Sequence, residues 1–305
     1  MINLEQRLQT PLKSDWRLQA ERVYLEQIQT LRAAIQRDKA KGSLTPETIA
    51  AYALLTITDD DGLPITPAAH HWLWLRLLCD ERIKKLLIIA PPESAKTTWT
   101  ISAYLGCRIG FFPEQSIIIG SVSGPVAEKR SIGLRTAVET SEWKELFPEI
   151  LQIRAAGGFK WETHEWSLAP QGKPRPGRLH PTIAAYGTGS EQVIGSRADL
   201  VVADDLLDFE NSRTSHQREL VETWLHTSLL SRRKARTGRV IMIGTAWHFD
   251  DIYSKARKEG GWVVCHLPLL SESNKVIANI SYPDNWPFET IGEPVGTAMP
   301  EKGTL

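Results

Sequence analysis

Five short runs of mostly branched apolar residues constrain this chain more than any other feature: Leu86–Ile89, Ser116–Gly120, Leu200–Ala203, Val240–Gly244 and Trp262–Leu267. None shows the apolar–polar alternation of a strand with one wet face, so each reads as a strand buried on both sides. Stretches with helical spacing lie between and after them: Lys96–Ile109, Pro125–Glu139, Ser212–Ser231 and Asp250–Glu259. Strand and helix in alternation predict an α/β fold, a mainly parallel central sheet flanked by helices. An N-terminal helical segment precedes it. Apolar residues recur three to four apart over residues 15–40, Gly42 ends the run, and Ser43–Ala53 reads as a second short helix.

The turn-rich TDDDGLPITP at 58–67 separates the two parts. The expected organisation is an N-terminal helical region at 1–63, a main domain at 64–270 and a C-terminal linker or tail at 271–305. Within the main domain, Trp161, Trp166 and the Pro/Gly-rich QGKPRPGR at 171–178 break the alternation. They predict a hairpin or insertion over 151–186. Lys+Arg and Asp+Glu are 36 each, for a net charge of zero, which argues against a protein that binds polyanions over its whole surface. The three cysteines are odd in number and far apart, which fits no disulfide framework or zinc site and points to a reducing cytoplasm. The N-terminus has no export pattern, and no apolar run is long enough to span a membrane.

Three segments carry the chemistry. In KLLIIAPPESAKTTW, residues 85–99, an apolar strand enters a short loop and Lys96-Thr97-Thr98 opens a helix. Backbone N–H groups and a lysine point charge at such a place surround phosphates. Ala90 and Ala95 stand at both glycine positions of the usual G-x-x-x-x-G-K-[ST] spacing; an alanine before Lys96 suits the loop only if that residue keeps a negative φ. The second segment, ADLVVADDLLD at 198–208, ends a buried strand in Asp204 and Asp205. One carboxylate there can hold Mg²⁺ and the other can orient an attacking water. The third, VIMIGTAWHFDDIY at 240–253, ends a strand in Gly244-Thr245. Thr245 is placed there either to sense a terminal phosphate or to lead into a helix cap.

Together these segments resemble the ATPase domain of the large terminase subunit of tailed bacteriophages, a P-loop NTPase. APPESAKTT resembles the family's Pro-Pro phosphate loop, and IGSRADLVVADDLLD its acidic strand. GTAWHFDDIY resembles its coupling motif, PAAHHWLWLRLL at 67–78 the segment that contacts adenine, and SEWKELFPEI at 141–150 its aromatic Leu-Phe-Pro texture. The resemblance runs over roughly residues 64–270. It implies that Pro92, Glu93, Ser94, Ala95, Lys96, Thr97 and Thr98 wrap ATP, with His71 or His70 near the base. It implies Thr97 and Asp204 as Mg²⁺ ligands, Asp205 as the water-orienting group and Thr245 as the coupling residue. The family often carries arginine in its phosphate loop. Here Glu93 and Ser94 hold those positions, so Arg130 and Arg197 become the candidate catalytic cations, from the same or a neighbouring subunit. Only about 35 residues follow the last expected strand, too few for the family's nuclease domain.

Residues 211–240 hold seven Lys/Arg against two acids. The segment 231–239, with Arg232, Arg233, Lys234 and Arg236, is the expected contact to double-stranded DNA, and KPRPGR at 173–178 is a second candidate. The resemblance implies an Mg²⁺-dependent ATP hydrolase that drives DNA into a viral procapsid in the host cytoplasm. It would act as a homo-oligomeric ring with a portal protein and a small terminase subunit. A helicase-like or recombination ATPase, and a weakly catalytic nucleotide-dependent scaffold, are the alternatives.

Overall fold

A computed structural model describes residues 14–153, 159–268, 275–290 and 295–297. The expected Asp-rich connector lies inside these residues; the distal part of the expected C-terminal tail lies largely outside them. The helices are α1 (Ser14–Ala40), α2 (Pro46–Thr56), α3 (Ala69–Cys79), α4 (Gly106–Phe111), α5 (Gly124–Glu139), α6 (Ser141–Leu146), α7 (Phe209–Ser212), α8 (Ser215–Thr223) and α9 (Ile252–Glu259). The strands are β1 (Lys85–Ile89), β2 (Ile117–Ser121), β3 (Ile150–Gln152), β4 (Glu165–Trp166), β5 (Leu168–Pro170), β6 (Ile183–Gly187), β7 (Leu200–Asp204), β8 (Arg239–Gly244), β9 (Val263–His266), β10 (Lys275–Ile277), β11 (Asn279–Ser281) and β12 (Val295–Thr297).

Eight strands form one sheet in the order β11-β9-β1-β8-β7-β2-β6-β4. The six inner strands run parallel, and antiparallel β11 and β4 close the edges. This is the α/β architecture that the apolar runs predict. Successive side chains of a strand face opposite ways, and both faces are covered. Leu86, Ile88, Ile117, Val202 and Ile243 face α2, α3 and the chain from Thr98 to Phe111. Leu87, Ile118, Val201 and Met242 face Trp224, Leu225 and α9. The core passes both expected boundaries. Ile35, Ile49 and Tyr52 of the N-terminal helices are fully buried in it, and β11 extends the sheet beyond residue 270. Within 151–186, β3 pairs with β5 and β4 with β6, both antiparallel, while β6 returns to the main sheet beside β2.

Two expected helices differ in detail. The chain after Lys96 is π-helical over Thr98–Leu105 before α4 begins. The Thr100 hydroxyl bonds the Lys96 carbonyl and so competes with the ordinary helical ladder. The expected helix at Ser212–Ser231 breaks after α7. Thr214 caps a new helix there, accepting from the Gln217 backbone N–H while the Gln217 side chain accepts from the Thr214 N–H.

Arg239 locks the base of the sheet. Its guanidinium is 1% exposed and donates to the carbonyls of Leu77, Leu78 and Ile83 at 2.6–2.8 Å. Two of these are terminal carbonyls of α3, which a helix end leaves without partners.

Candidate phosphate site

In the parallel register Ile89 lies opposite Gly244, and Asp204 opposite Ile243. The ends of β1 and β7 therefore flank the tip of β8, and residues following β1 and β7 meet above it. Asp204 closes β7 with a fully buried carboxylate. It accepts from the Thr97 hydroxyl at 3.1 and 3.3 Å and from Arg130 Nε at 2.8 Å. Asp205 lies 3.6 Å from Lys96 Nζ and accepts from the Thr245 backbone N–H. Burial pushes both carboxyls above the ordinary carboxylate value; Arg130 opposes this at Asp204, and Lys96 then Arg130 at Asp205. Two acids and two cations thus share one small volume.

The loop that brings Lys96 here is held from several sides. Pro91 and Pro92 restrict its entry. Ala90 N–H bonds the Gly244 carbonyl at 3.0 Å, and the Thr245 hydroxyl bonds the Ala90 carbonyl at 3.2 Å. The Ser94 hydroxyl turns back to the Pro91 carbonyl at 2.8 Å. Three non-glycine residues of the site adopt positive φ: Glu93 at 60°, Ala95 at 55° and Asp205 at 47°. The alanine before Lys96 therefore sits in the left-handed region that glycine occupies freely. The expectation that it keeps a negative φ is overturned, because the chain must reverse there to bring Lys96 back over β8. Gly244 has a different reason to be glycine: an added Cβ would lie 2.1 Å from the Tyr253 hydroxyl, which receives the Leu206 N–H.

His71 takes a supporting place. Its Nδ1 accepts the Ala68 N–H at 3.0 Å, which leaves Nε2 protonated to donate to the Ser94 carbonyl at 3.0 Å. The ring stacks on Trp99 with centroids 5.0 Å apart. Burial lowers its pKa to about 3, and that of His70 to about 4. Both ring nitrogens are engaged, and the Nε2 bond holds the loop from behind.

The structure thus brings Lys96, Thr97, Asp204, Asp205, Thr245 and Arg130 together. It does not bring Arg197 to them within one chain. Arg197 precedes β7, whereas Asp204 ends it, and five residues of strand span about 16 Å. A place for Arg197 at the phosphates would have to be in a second copy. The basic segment 231–239 also lies at the far end of the sheet, where it leads into β8. There Lys234 pairs with Asp199 at 2.7 Å, Arg233 turns to the Gly238 carbonyl, Arg232 donates to the Ser228 carbonyl, and Arg236 is exposed. Sequence reasoning does not find the His71–Ser94 tether or the Tyr253–Leu206 bond, since neither residue pair has a spacing signature.

Thr97 and Asp204 present hard oxygen donors at one point, the donor chemistry of Mg²⁺, which keeps waters and takes phosphate oxygens for its other positions. Among the described residues no helix is long and apolar enough to cross a membrane.

No family model matches the chain. It is similar to the curated protein "Terminase, large subunit" of Enterobacteria phage T3, with 27% identity over 159 residues. The match covers 52% of this chain and 25% of that protein, so the chain spans about a quarter of its relative. Among solved structures, it is similar to the Thermus phage P74-26 large terminase ATPase domain in an arginine-to-alanine mutant, at a TM-score of 0.42 and 13% identity, covering 65% of this chain and 73% of that one. For that phage's ATPase domain in a second structure the TM-score is 0.37, with 12% identity, 61% of this chain and 68% of the other. The sequence likeness is to the same family whose motifs this chain resembles.

Proposed function

We propose that this chain is the ATP-hydrolysing part of a viral terminase motor, working in the host cell. In this reading it moves double-stranded DNA into a procapsid, as a ring with a portal protein and a small terminase subunit. The motor unit is assigned to residues 64–270 together with the N-terminal helices and β11 that share its core and sheet. The observation that carries the reading is the meeting of Lys96 and Thr97 with Asp204 and Asp205 across the tip of β8.

The backbone N–H groups of the loop from Pro92 to Thr98 and the Lys96 ammonium receive the phosphates. Thr97 and Asp204 would hold Mg²⁺, which supplies charge neutralisation on the phosphate oxygens. Lys96 and Arg130 now face carboxylates, and both can exchange them for phosphate oxygens. Arg130 thereby supplies from within the chain the cation that the phosphate loop lacks. Asp205 orients water: its carboxyl is held by the Thr245 N–H, and its raised pKa makes it a stronger base than an exposed aspartate. Thr245 also holds the loop through Ala90, so a change at either place reaches the other. Arg232, Arg233, Lys234 and Arg236 remain the proposed contacts to DNA, with Arg197 acting, if at the phosphates, on a second copy.

Phosphate release from ATP tests this reading. Lys96→Ala should abolish turnover. Asp205→Asn should keep ATP affinity within a few-fold and lose about 10²–10⁴ in rate. Wild-type turnover equal to that of Lys96→Ala would refute the enzyme assignment and favour a nucleotide-dependent scaffold. Stimulation by single-stranded rather than duplex DNA would favour a helicase-like ATPase.

A further inference from the structure

The two basic segments that stand apart in the sequence, 173–178 and 231–239, meet in space. They line one open cleft of about 410 Å³, together with Ser116, Arg197 and His180. It opens at the starts of β2 and β7, the opposite end of the sheet from Lys96.

The charge here is not balanced internally. Arg178 is 9% exposed and donates to the His180 carbonyl at 3.1 Å, the Leu168 carbonyl at 2.7 Å and the Thr182 hydroxyl at 2.7 Å. All three partners are neutral, and two of its five N–H donors are left over. Among the described residues, neither Arg178 nor the exposed Arg175 and Arg197 has a carboxylate within ion-pair distance. Two acids lie at the margin. Asp199 is occupied by Lys234 at 2.7 Å and by the Ser116 N–H at 3.0 Å, and Glu114 accepts the Arg175 N–H at 2.6 Å. A buried guanidinium with only neutral partners is costly unless an anion reaches it.

We propose that this cleft is a second oxyanion site, which takes backbone phosphates of a nucleic-acid duplex on Arg175, Arg178 and Arg197. The nucleic-acid source rests on the motor reading; the phosphate chemistry does not. The site takes in Arg175 and Arg178 of the second expected DNA contact and little of the first, because much of segment 231–239 spends its charge on internal partners. Planar guanidinium groups suit phosphate better than point charges do. Arg178 is fixed by its three bonds, so it would bind phosphate without further ordering.

The test is the salt dependence of binding to a labelled duplex in the absence of nucleotide, measured on the full chain. Removing one phosphate-binding side chain should reduce the slope of log affinity against log salt by about 0.9. Arg175→Ala should therefore lower the slope by about 0.9, and Arg175→Ala with Arg197→Ala by about 1.8. Over 50–200 mM salt these changes correspond to about 3.5-fold and about 12-fold less salt sensitivity. Arg175→Glu should weaken binding further at every salt concentration, with its urea midpoint at the wild-type value because residue 175 is exposed. An unchanged slope in both alanine variants would overturn the proposal. A second result would do so as well: if, in the Lys96→Ala background, the two arginine changes abolished tripolyphosphate binding but left duplex affinity unmoved, the cleft would belong to a small phosphate. Neither result touches the ATP-turnover test, which judges the motor reading by itself.

Discussion

Replacing Arg130 by methionine isolates the electrostatic centre of the site. Asp204 is fully buried, and among the described residues Arg130 is the cation within ion-pair distance of it. Methionine keeps most of the stem and removes the charge. Breaking a buried pair from one side costs about 3–5 kcal/mol. The Arg130 side chain is 25% exposed, which puts the expected loss near the low end, about 3 kcal/mol. A ceiling follows from proton uptake. A stranded carboxylate can take a proton instead of staying charged, and from pH 7 down to the ordinary value of 3.8 this costs about 4.4 kcal/mol. The sign of the pH dependence is then set. The variant raises the folded-state pKa of Asp204 further above its unfolded value. The added penalty is absent below the wild-type folded value, which burial already lifts above the ordinary one, grows by about 1.4 kcal/mol per unit above it, and levels off above the variant's own folded value. Urea unfolding of wild type and variant at pH 5, 6, 7 and 8 reads this directly. The gap should widen as pH rises across the series, from pH 5 to 8. Adding Asp204→Asn should close it to within about 1 kcal/mol and remove its pH dependence. A gap below about 1 kcal/mol at pH 8, or one equal at pH 5 and 8, would show that Arg130 is not the counter-ion of Asp204.

Ala95→Gly should relieve a left-handed alanine, worth about 1–2 kcal/mol, against about 1 kcal/mol for the same change in an exposed helix. Ala33→Gly in α1 is the control, and thermal unfolding that ranks Ala95→Gly as the more damaging change would contradict the observed backbone. Arg239→Met should strand three buried carbonyls and cost about 3–5 kcal/mol, read as a fall in the urea midpoint; a loss under 1 kcal/mol would mean that water replaces the guanidinium.

The sheet is legible in the sequence because its strands are wet on neither side: LLII in β1 or LVVA in β7 has no other reading once helices lie between them. Strand order is not legible, since nothing in β8 says that it lies between β1 and β7. The candidate phosphate loop and the paired aspartates stand out locally because each is one uninterrupted segment. The choice between Arg130 and Arg197 can be made that way only in part. Arg197 precedes the strand that Asp204 ends, which places it at the opposite end of the sheet, but the approach of Arg130 to Asp204 depends on the passage of α5 near the end of β7. Counting charge over 211–240 finds a basic region but not its pairing. Lys234 answers Asp199, Arg239 is buried under α3, and the free guanidinium groups of the cleft come largely from elsewhere. The break after α7 does carry a local signature, since Thr214 and Gln217 have the Thr-x-x-Gln spacing of a capping box, but the helical spacing of 212–231 read by itself runs past it.

The sheet order also bears on how the chain is made. β1 is flanked by β8 and β9, both synthesised more than 140 residues after it. A polypeptide emerges amino end first, so the Leu86–Ile89 segment leaves the ribosome with no neighbour to pair with. Ala90 cannot be anchored until Gly244 arrives. A nascent chain short of that residue therefore has no anchored loop to carry Lys96, and its unpaired apolar strand is open to misassociation throughout the interval.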